Sequence, residues 1–473
     1  ATGLDSVSLT DFSNSIDSVD ILSNDFCEIS EEDNEETDTQ QQRHKISAKP
    51  IKIPCKNEHI EQLCLSPPAE KMDDYETTQC TDKKTSRFKF GFFESTKEKL
   101  YNMIKTYRYQ PNYSPYTPIF SMGNIYHIGS DNESRIDSST LVFEELLQVS
   151  QGANDFLNAF SSMFWFTYRN RFPPLANSTL TSDMGWGCMI RTGQMMLANG
   201  IMKLVHASDW NFVRDDQTIH NCILEWFVDY PGPSHPFSIH NIVSAGSYFG
   251  LKPGDWLSPS TIIHILKMLV RKQKPFGLTM YVAKEATVIK EQIFNICEPV
   301  HESDEGSFEE ESDSEENQIF HPVIISIPVR LGLDSIEQCY YSVLKALLSS
   351  KLSLGMIGGK PNSSLYFIGF QDNDVILLDP HLVQPTPPED GVLDSVASFH
   401  CQVPHKLPIS EMDPCLALNF LCRTKMEFEE FCTMVNELNK QTNDSIFEIK
   451  TSVSPPVNSK KVGISLQNKA KQQ

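Results

Sequence analysis

Two short stretches carry side chains that could do covalent chemistry. The first, Asp183 to Met195, reads DMGWGCMIRTGQM, with Cys188 between a Gly-Trp-Gly turn and a run of helical spacing. Gly185 and Gly187 allow a tight turn and a close backbone approach. If a helix starts at Cys188, the thiol lies at the positive end of its dipole, which favours the thiolate. The same residues also suit a small buried cysteine beneath a tryptophan, and the stretch alone leaves the two readings balanced.

The second stretch, Ile376 to Leu382, reads ILLDPHL. A thiol nucleophile needs a histidine as base and a third group to orient it. Side chains two apart share a face of an extended chain, so Asp379 and His381 point the same way if a strand from Val375 continues. Pro380 stiffens the link and pushes Asp379 toward extended geometry. An aspartate beside a histidine fixes its tautomer and stabilises imidazolium. The bland alternative is a surface turn begun by Asp-Pro. His400, Cys401, His405 and Cys415 match no standard metal-site spacing. His264 sits in an apolar helical run and reads as structural.

The elements that must position these groups follow from periodicity. Phe156, Phe160, Phe164 and Tyr168 recur every four residues, as on one face of a helix. Cys188 to Leu204 reads as a helix, and so does 260–272, with Ser260 as its cap. Val323 to Ile327 reads as a strand. Leu365 to Phe370 and Val375 to Leu378 flank Gln-Asp-Asn-Asp as a hairpin. Helices first and an antiparallel sheet later indicate an α+β class.

The 473 residues carry a net charge of −22, which is local. Residues 1–50 hold a net −9 and residues 298–317 a net −10, leaving −3 for the rest. The remainder has no basic footprint, so no nucleic-acid affinity is expected. Twelve cysteines include no C-x-x-C pair. No signal peptide and no membrane span are expected, and a cytoplasmic, reducing setting fits free thiols. Three regions are expected: a disordered acidic N-terminal extension over 1–85, a globular domain over 86–452 with an acidic surface insertion at 298–317, and a flexible tail over 453–473. In the extension, Phe26 and Ile29 among acids could form a short docking motif for a sheet edge. Asp17-Ser-Val-Asp20 has the D-x-x-D form that caspase-type proteases cut.

Several blocks together resemble the autophagin family of cysteine proteases, which process GABARAP-type ubiquitin-like modifiers. They are FTYRNRFPP (166–174), DMGWGCMIRTGQMMLANG (183–200), GDWLSPS (254–260) and IPVRLGL (327–333). LGMIGGKPNSSLYFIGF (354–370), LLDPHLVQP (377–385) and FHCQVPHKLPISEMDP (399–414) follow in the family's order. Other ubiquitin-like-modifier proteases also carry Gly-Trp-Gly-Cys and Asp-Pro-His. The Arg-Thr-Gly-Gln-Met and Gly-Gly-Lys-Pro-Asn runs separate this family from them.

The resemblance implies a papain-like cysteine protease fold with a small additional subdomain. It implies Cys188 as nucleophile, His381 as base, Asp379 as its orienter and Tyr168 as an oxyanion donor beside the Cys188 backbone N–H. Trp256 matches a tryptophan over the catalytic centre. Lys360, Pro361, Asn362 and Ser363 match a loop that covers the entrance until substrate lifts it, with Gly358 and Gly359 as hinge. Arg330 and Leu333 match positions that bind the substrate's C-terminal tail. The implied activity is cleavage after a C-terminal Gly of the modifier precursor and release of the modifier from phosphatidylethanolamine, without metal or organic cofactor. Contact with the autophagosomal membrane would come through that substrate. The alternatives are a protease of another ubiquitin-fold modifier and a non-catalytic modifier-binding module. The long extension and the acidic insertion resemble the longer paralogues, and the extension is expected to inhibit the site or select partners.

Overall fold

The structure is a computed structural model. It describes residues 102, 112–129, 141–142, 147, 150–206, 211–212, 214–298, 320–441 and 445–452. The extension 1–85 with Phe26 and Ile29, most of the acidic insertion and the tail 453–473 lie outside the described residues.

In chain order come strands β1 (Asn112–Tyr113), β2 (Ile119–Ser121), β3 (Asn124–Tyr126) and β4 (Leu141–Val142). Helix α1 (Gln151–Ser161) and strand β5 (Tyr168–Asn170) follow, then α2 (Cys188–Val205), α3 (Thr218–Glu225), α4 (Ile239–Gly246) and α5 (Pro259–Gln273). Next are β6 (Thr279–Val282), β7 (Thr287–Ile289), α6 (Lys290–Cys297), β8 (Val323–Arg330) and α7 (Tyr341–Ser349). The chain continues with β9 (Ser353–Lys360), β10 (Ser363–Gln371), β11 (Asp374–Leu378), β12 (Val383–Pro385), β13 (His405–Pro408) and β14 (Cys415–Cys422). It closes with α8 (Lys425–Gln441) and β15 (Glu448–Lys450).

The main sheet runs β13-β11-β10-β9-β14-β8-β6, with β2 paired to β10 and β3 paired to β2. Its pairs are antiparallel except β6 with β8. Alternate residues feed two cores. Ile324, Tyr366, Ile368, Ile376 and Leu378 join the core that also holds α2, α4 and α5 residues. Ile325, Leu365, Phe367, Val375 and Leu377 join the opposite core, with α7 and α8. Helical cover on both faces explains why these strands read as continuous apolar runs rather than as alternating ones. The class is α+β and the layout papain-like, with a buried helix that begins at Cys188 packed on an antiparallel sheet. No described helix is long and apolar enough to cross a membrane.

Helix α2 is buried at every position from Cys188 to Met202, so its polar side chains must find partners inside the protein. Helix α5 begins one residue earlier than expected. Ser258, not Ser260, is the cap: its side chain accepts from the Thr261 N–H, and Pro259 takes the first helical position. The β10–β11 hairpin forms as expected, with Asp372 in the left-handed region (φ 54°) at its turn.

The four-residue aromatic period is not one helix. Helix α1 carries Phe156 and Phe160 but ends at Ser161, where the Ser162 hydroxyl donates to the Asn158 carbonyl at 2.6 Å. Beyond it the chain is extended. The Asn199 side chain accepts from the Phe164 N–H at 2.9 Å and donates to its carbonyl at 3.0 Å. Tyr168 lies in β5, beside Val383 of β12. All four rings are buried, so the period records burial and not helical phase.

Candidate active site

Cys188 is the first residue of α2, and the turn before it is tightly fitted. Gly185 has φ +89°, a conformation that L side chains resist. A Cβ on Gly187 would come within 2.3 Å of the Asp183 carboxylate, so only glycine allows that approach. Cys188 packs with Tyr168 and Val383, only 5% exposed.

Asp379 and His381 meet, but not as strand neighbours. Strand β11 stops at Leu378, and the two residues form a turn. The Asp379 Oδ1 accepts from the His381 backbone N–H at 2.8 Å and pairs with ring Nδ1 at 2.5 Å. This fixes the tautomer that leaves Nε2 for the Cys188 thiol. The turn is held from outside by Trp165 Nε1, which donates to the Asp379 carbonyl at 2.8 Å. The Tyr168 N–H does the same to the Pro380 carbonyl, also at 2.8 Å. The Tyr168 ring meets the His381 imidazole edge-on, centroids 5.4 Å apart.

Electrostatics favour a charged pair. Burial alone would raise the Cys188 thiol. Hydrogen bonding and charge from His381, the Ser364 backbone N–H and the Tyr168 phenol outweigh it and bring the thiol below its ordinary value. Burial alone would lower His381, but hydrogen bonds to Asp379 and Cys188 raise it from 6.5 to about 9. A folded-state value above the unfolded one contributes stability that is complete below pH 6.5 and is lost as pH rises through about 9. If His381 serves as the acid, its imidazolium is lost over the same upper limb. Activity is therefore expected to fall above about pH 9. Asp379→Asn is expected to move that limb down and to lower kcat/KM by about 10²–10⁴-fold. A kcat/KM profile against pH checks this; an unmoved alkaline limb would contradict it.

Several of the remaining expected residues line a cleft of about 240 Å³ that Cys188 also lines, while Arg330, Leu333 and Pro361 do not. Trp186, Trp256, Gly358, Gly359 and Lys360 line it too, and Trp256 is 54% exposed. Gly358 and Gly359 lie within β9, paired to Leu365 and Ser364 of β10, with Pro361 and Asn362 at the hairpin turn. What their missing side chains provide here is close approach. A Cβ on Gly358 would meet Leu416 at 2.3 Å, and one on Gly359 the Ser363 carbonyl at 2.0 Å. Arg330 ends β8 and donates to the Gly332 and Leu333 carbonyls and, at 3.2 Å, to the Cys415 sulfur. Cys415 lines the cleft, and Leu333 is exposed.

Sequence reasoning placed Ser363 only in the entrance loop and gave no role to Ser364, Asp183, Arg191 or Asp229. The Ser363 hydroxyl lies 3.2 Å from His381 Nε2, and Ser364 bonds Thr192 of α2. Arg191 pairs with Asp183 through Nε at 2.8 Å, and with Asp229 through Nη1 at 2.8 Å and Nη2 at 3.0 Å, all buried. Burial alone would lower the Arg191 guanidinium; the two carboxylates raise it. An arginine inside an apolar helix was the available signal, because a buried charge demands a partner. His400 stacks on Phe212, centroids 3.9 Å apart, and burial with His220 nearby pushes it down to about 3. Among the described residues no group of three or more His, Cys, Asp or Glu side chains is placed to hold a metal ion. His264 Nδ1 bonds the Ser260 carbonyl within its own helix.

Comparison with known proteins bears on the same residues. Residues 153–434 match the peptidase C54 catalytic domain. The chain is similar to cysteine protease ATG4B of Gallus gallus, 32% identical over 374 residues, which covers 75% of this chain and 84% of that one. Cysteine protease ATG4A of Gallus gallus is 34% identical over 349 residues, 70% and 86% of the two chains. Cysteine protease atg4da of Danio rerio is 33% identical over 346 residues, 60% and 68% of the two chains. The matched region spans Cys188, Asp379 and His381, so the chain belongs to the peptidase C54 family and is a cysteine-type peptidase.

Proposed function

We propose that this peptidase acts in the cytoplasm on GABARAP-type ubiquitin-like modifiers. It cleaves the precursor after its C-terminal Gly and cuts the same Gly from phosphatidylethanolamine. The observation that carries the reading is the meeting of Cys188, at its helix terminus, with His381 and Tyr168, beside a cleft that Cys188 lines together with Trp256, Gly358 and Gly359. A cleft bounded by tryptophans and a glycine-bearing strand suits a backbone without side chains.

In this mechanism the Cys188 thiolate attacks the carbonyl carbon of the scissile Gly. The oxyanion that forms is met by the Tyr168 phenol and the Cys188 backbone N–H, which is one of the four unpaired donors at a helix start. Collapse breaks the C–N bond while His381 Nε2–H protonates the leaving amine, either a peptide N-terminus or the lipid amine. A thioester to Cys188 remains. Water, deprotonated by His381, attacks it and releases the Gly carboxylate and the thiol. Asp379 keeps the imidazole oriented throughout. Every proton transfer is served by His381, so the reaction needs no metal or organic cofactor. Arg330 and Leu333 would hold the substrate's tail, and membrane contact would come through the lipid-bearing substrate.

Incubation of wild type and Cys188→Ser with several purified modifier precursors tests the reading. Cleavage of a GABARAP-type precursor by wild type alone supports it. Cleavage only of another ubiquitin-fold precursor, or binding by both proteins without cleavage, overturns it. Exchange of the substrate's scissile Gly for Leu is expected to lower kcat/KM by at least about 100-fold, because the walls leave no room for a side chain. Unchanged cleavage of the Leu substrate in the same assay would sink the narrow-cleft argument.

A further inference from the structure

We infer that Asp183 is a positioning residue for the reaction, holding the strand that carries Tyr168 and the turn that carries Cys188 in one register. The inference rests on the reading of the Tyr168 phenol as an oxyanion donor.

Asp183 is 0% exposed and uses every polar atom it has. Its N–H donates to the Arg169 carbonyl at 3.2 Å, and its Oδ1 accepts from the Arg169 N–H at 2.7 Å. Arg169 follows Tyr168 in β5. The Asp183 carbonyl accepts from the N–H groups of Trp186 at 3.2 Å and Gly187 at 2.9 Å. Gly187 precedes Cys188. The Asp183 Oδ2 accepts from Arg191 Nε at 2.8 Å, one turn into α2. A single residue thus ties together the backbones next to both oxyanion donors. The bare Gly187 lets the carboxylate lie against the turn, since a Cβ there would collide with Oδ2.

Asp229 provides the internal contrast. Its carboxylate meets the same guanidinium at Nη1 and Nη2, from the other side. In its hydrogen bonds it engages Arg191 and neither the β5 backbone nor the turn. Either carboxylate can be made an amide, leaving Arg191 one carboxylate partner. An amide at 183 can accept from Arg169 or from Arg191 but not from both. Preorganised donors lose their effect when displaced, and a misplacement of about 1 Å costs on the order of 100-fold.

The test is a double-mutant cycle of Asp183→Asn with Tyr168→Phe, with Asp229→Asn as a separate variant, on a GABARAP-type precursor. Asp183→Asn is expected to lower kcat about 100-fold with KM within about 3-fold, and Asp229→Asn to lower kcat less than about 5-fold. In the Tyr168→Phe background the Asp183→Asn effect is expected to shrink below about 5-fold, because the donor it positions is gone. Alkylation of Cys188 by iodoacetamide is expected to stay within about 3-fold of wild type in Asp183→Asn, since the thiol is lowered chiefly by His381 and only least by the Tyr168 phenol. An equal loss in both backgrounds, an equal loss in Asp229→Asn, or alkylation falling in step with kcat would overturn the inference alone. Unchanged kcat in Tyr168→Phe by itself would overturn the reading of the phenol and the inference with it. If circular dichroism shows Asp183→Asn unfolded, Asp183→Glu keeps both charges of the pair and displaces the acceptor by a methylene. It should lose kcat similarly, and wild-type kcat there would overturn the inference.

Discussion

Cys188→Ser is expected to lower turnover on the order of 10⁶-fold while the protein still folds and binds substrate. The hydroxyl would occupy nearly the same space at the start of α2. It would meet the same His381, Tyr168 and Ser364 groups. What it cannot do is ionise. A helix terminus and an imidazolium bring a thiol into its reactive range, but an alcohol stays far above it. A serine nucleophile needs a base that takes its proton during attack, whereas His381 beside Cys188 is raised by Asp379 and by the thiol it pairs with, an arrangement suited to a pre-formed thiolate. Single-turnover cleavage measured beside substrate binding separates the two effects. Residual turnover above about one part in a thousand would mean that the charged pair is not the source of reactivity.

Arg191→Met has the second large expected effect, on stability. The guanidinium is 1% exposed and lies between two buried carboxylates. Methionine fills much of the space but leaves Asp183 and Asp229 without a cation. Removing one partner of a buried charge network costs about 3–5 kcal/mol, a large share of the ~5–15 kcal/mol that holds a domain folded. The amide variants of either acid cost less, because Arg191 keeps one carboxylate. Urea unfolding checks the ranking. A loss under about 1 kcal/mol for Arg191→Met would show that the network is not what anchors the turn before Cys188.

How far the sequence could be read depended on whether partners were near or far along the chain. Cys188 and α2 were legible because a glycine turn and a helical period are local. Asp379 and His381 were legible as a pair through their spacing, although a side-chain-closed turn brings them together and not a strand. Ser258 was missed as the α5 cap because Pro259 fits the first turn and shifts the start by one residue. Tyr168 fell in a four-residue aromatic period that carries no helix beyond Ser161, since burial in an extended segment imposes the same residue types. The Arg191 partners were half legible. Asp183 stands eight residues away, but Asp229 is brought in only by the packing of α3 and the chain that follows it. Ser363 reaches His381 across a hairpin whose register no local pattern sets.

The most direct measurement is intact-mass and peptide mapping of the protein after exposure to a GABARAP-type modifier whose terminal Gly carries a thiol-reactive vinyl ester. The chain has 12 cysteines, and among the described ones Cys188 is the one whose thiol meets His381. Cys188 alone should form the adduct, with a rate that falls above about pH 9 as His381 loses its proton. No adduct, or an adduct on any other cysteine, would contradict the assignment of Cys188 and His381 as the reacting pair.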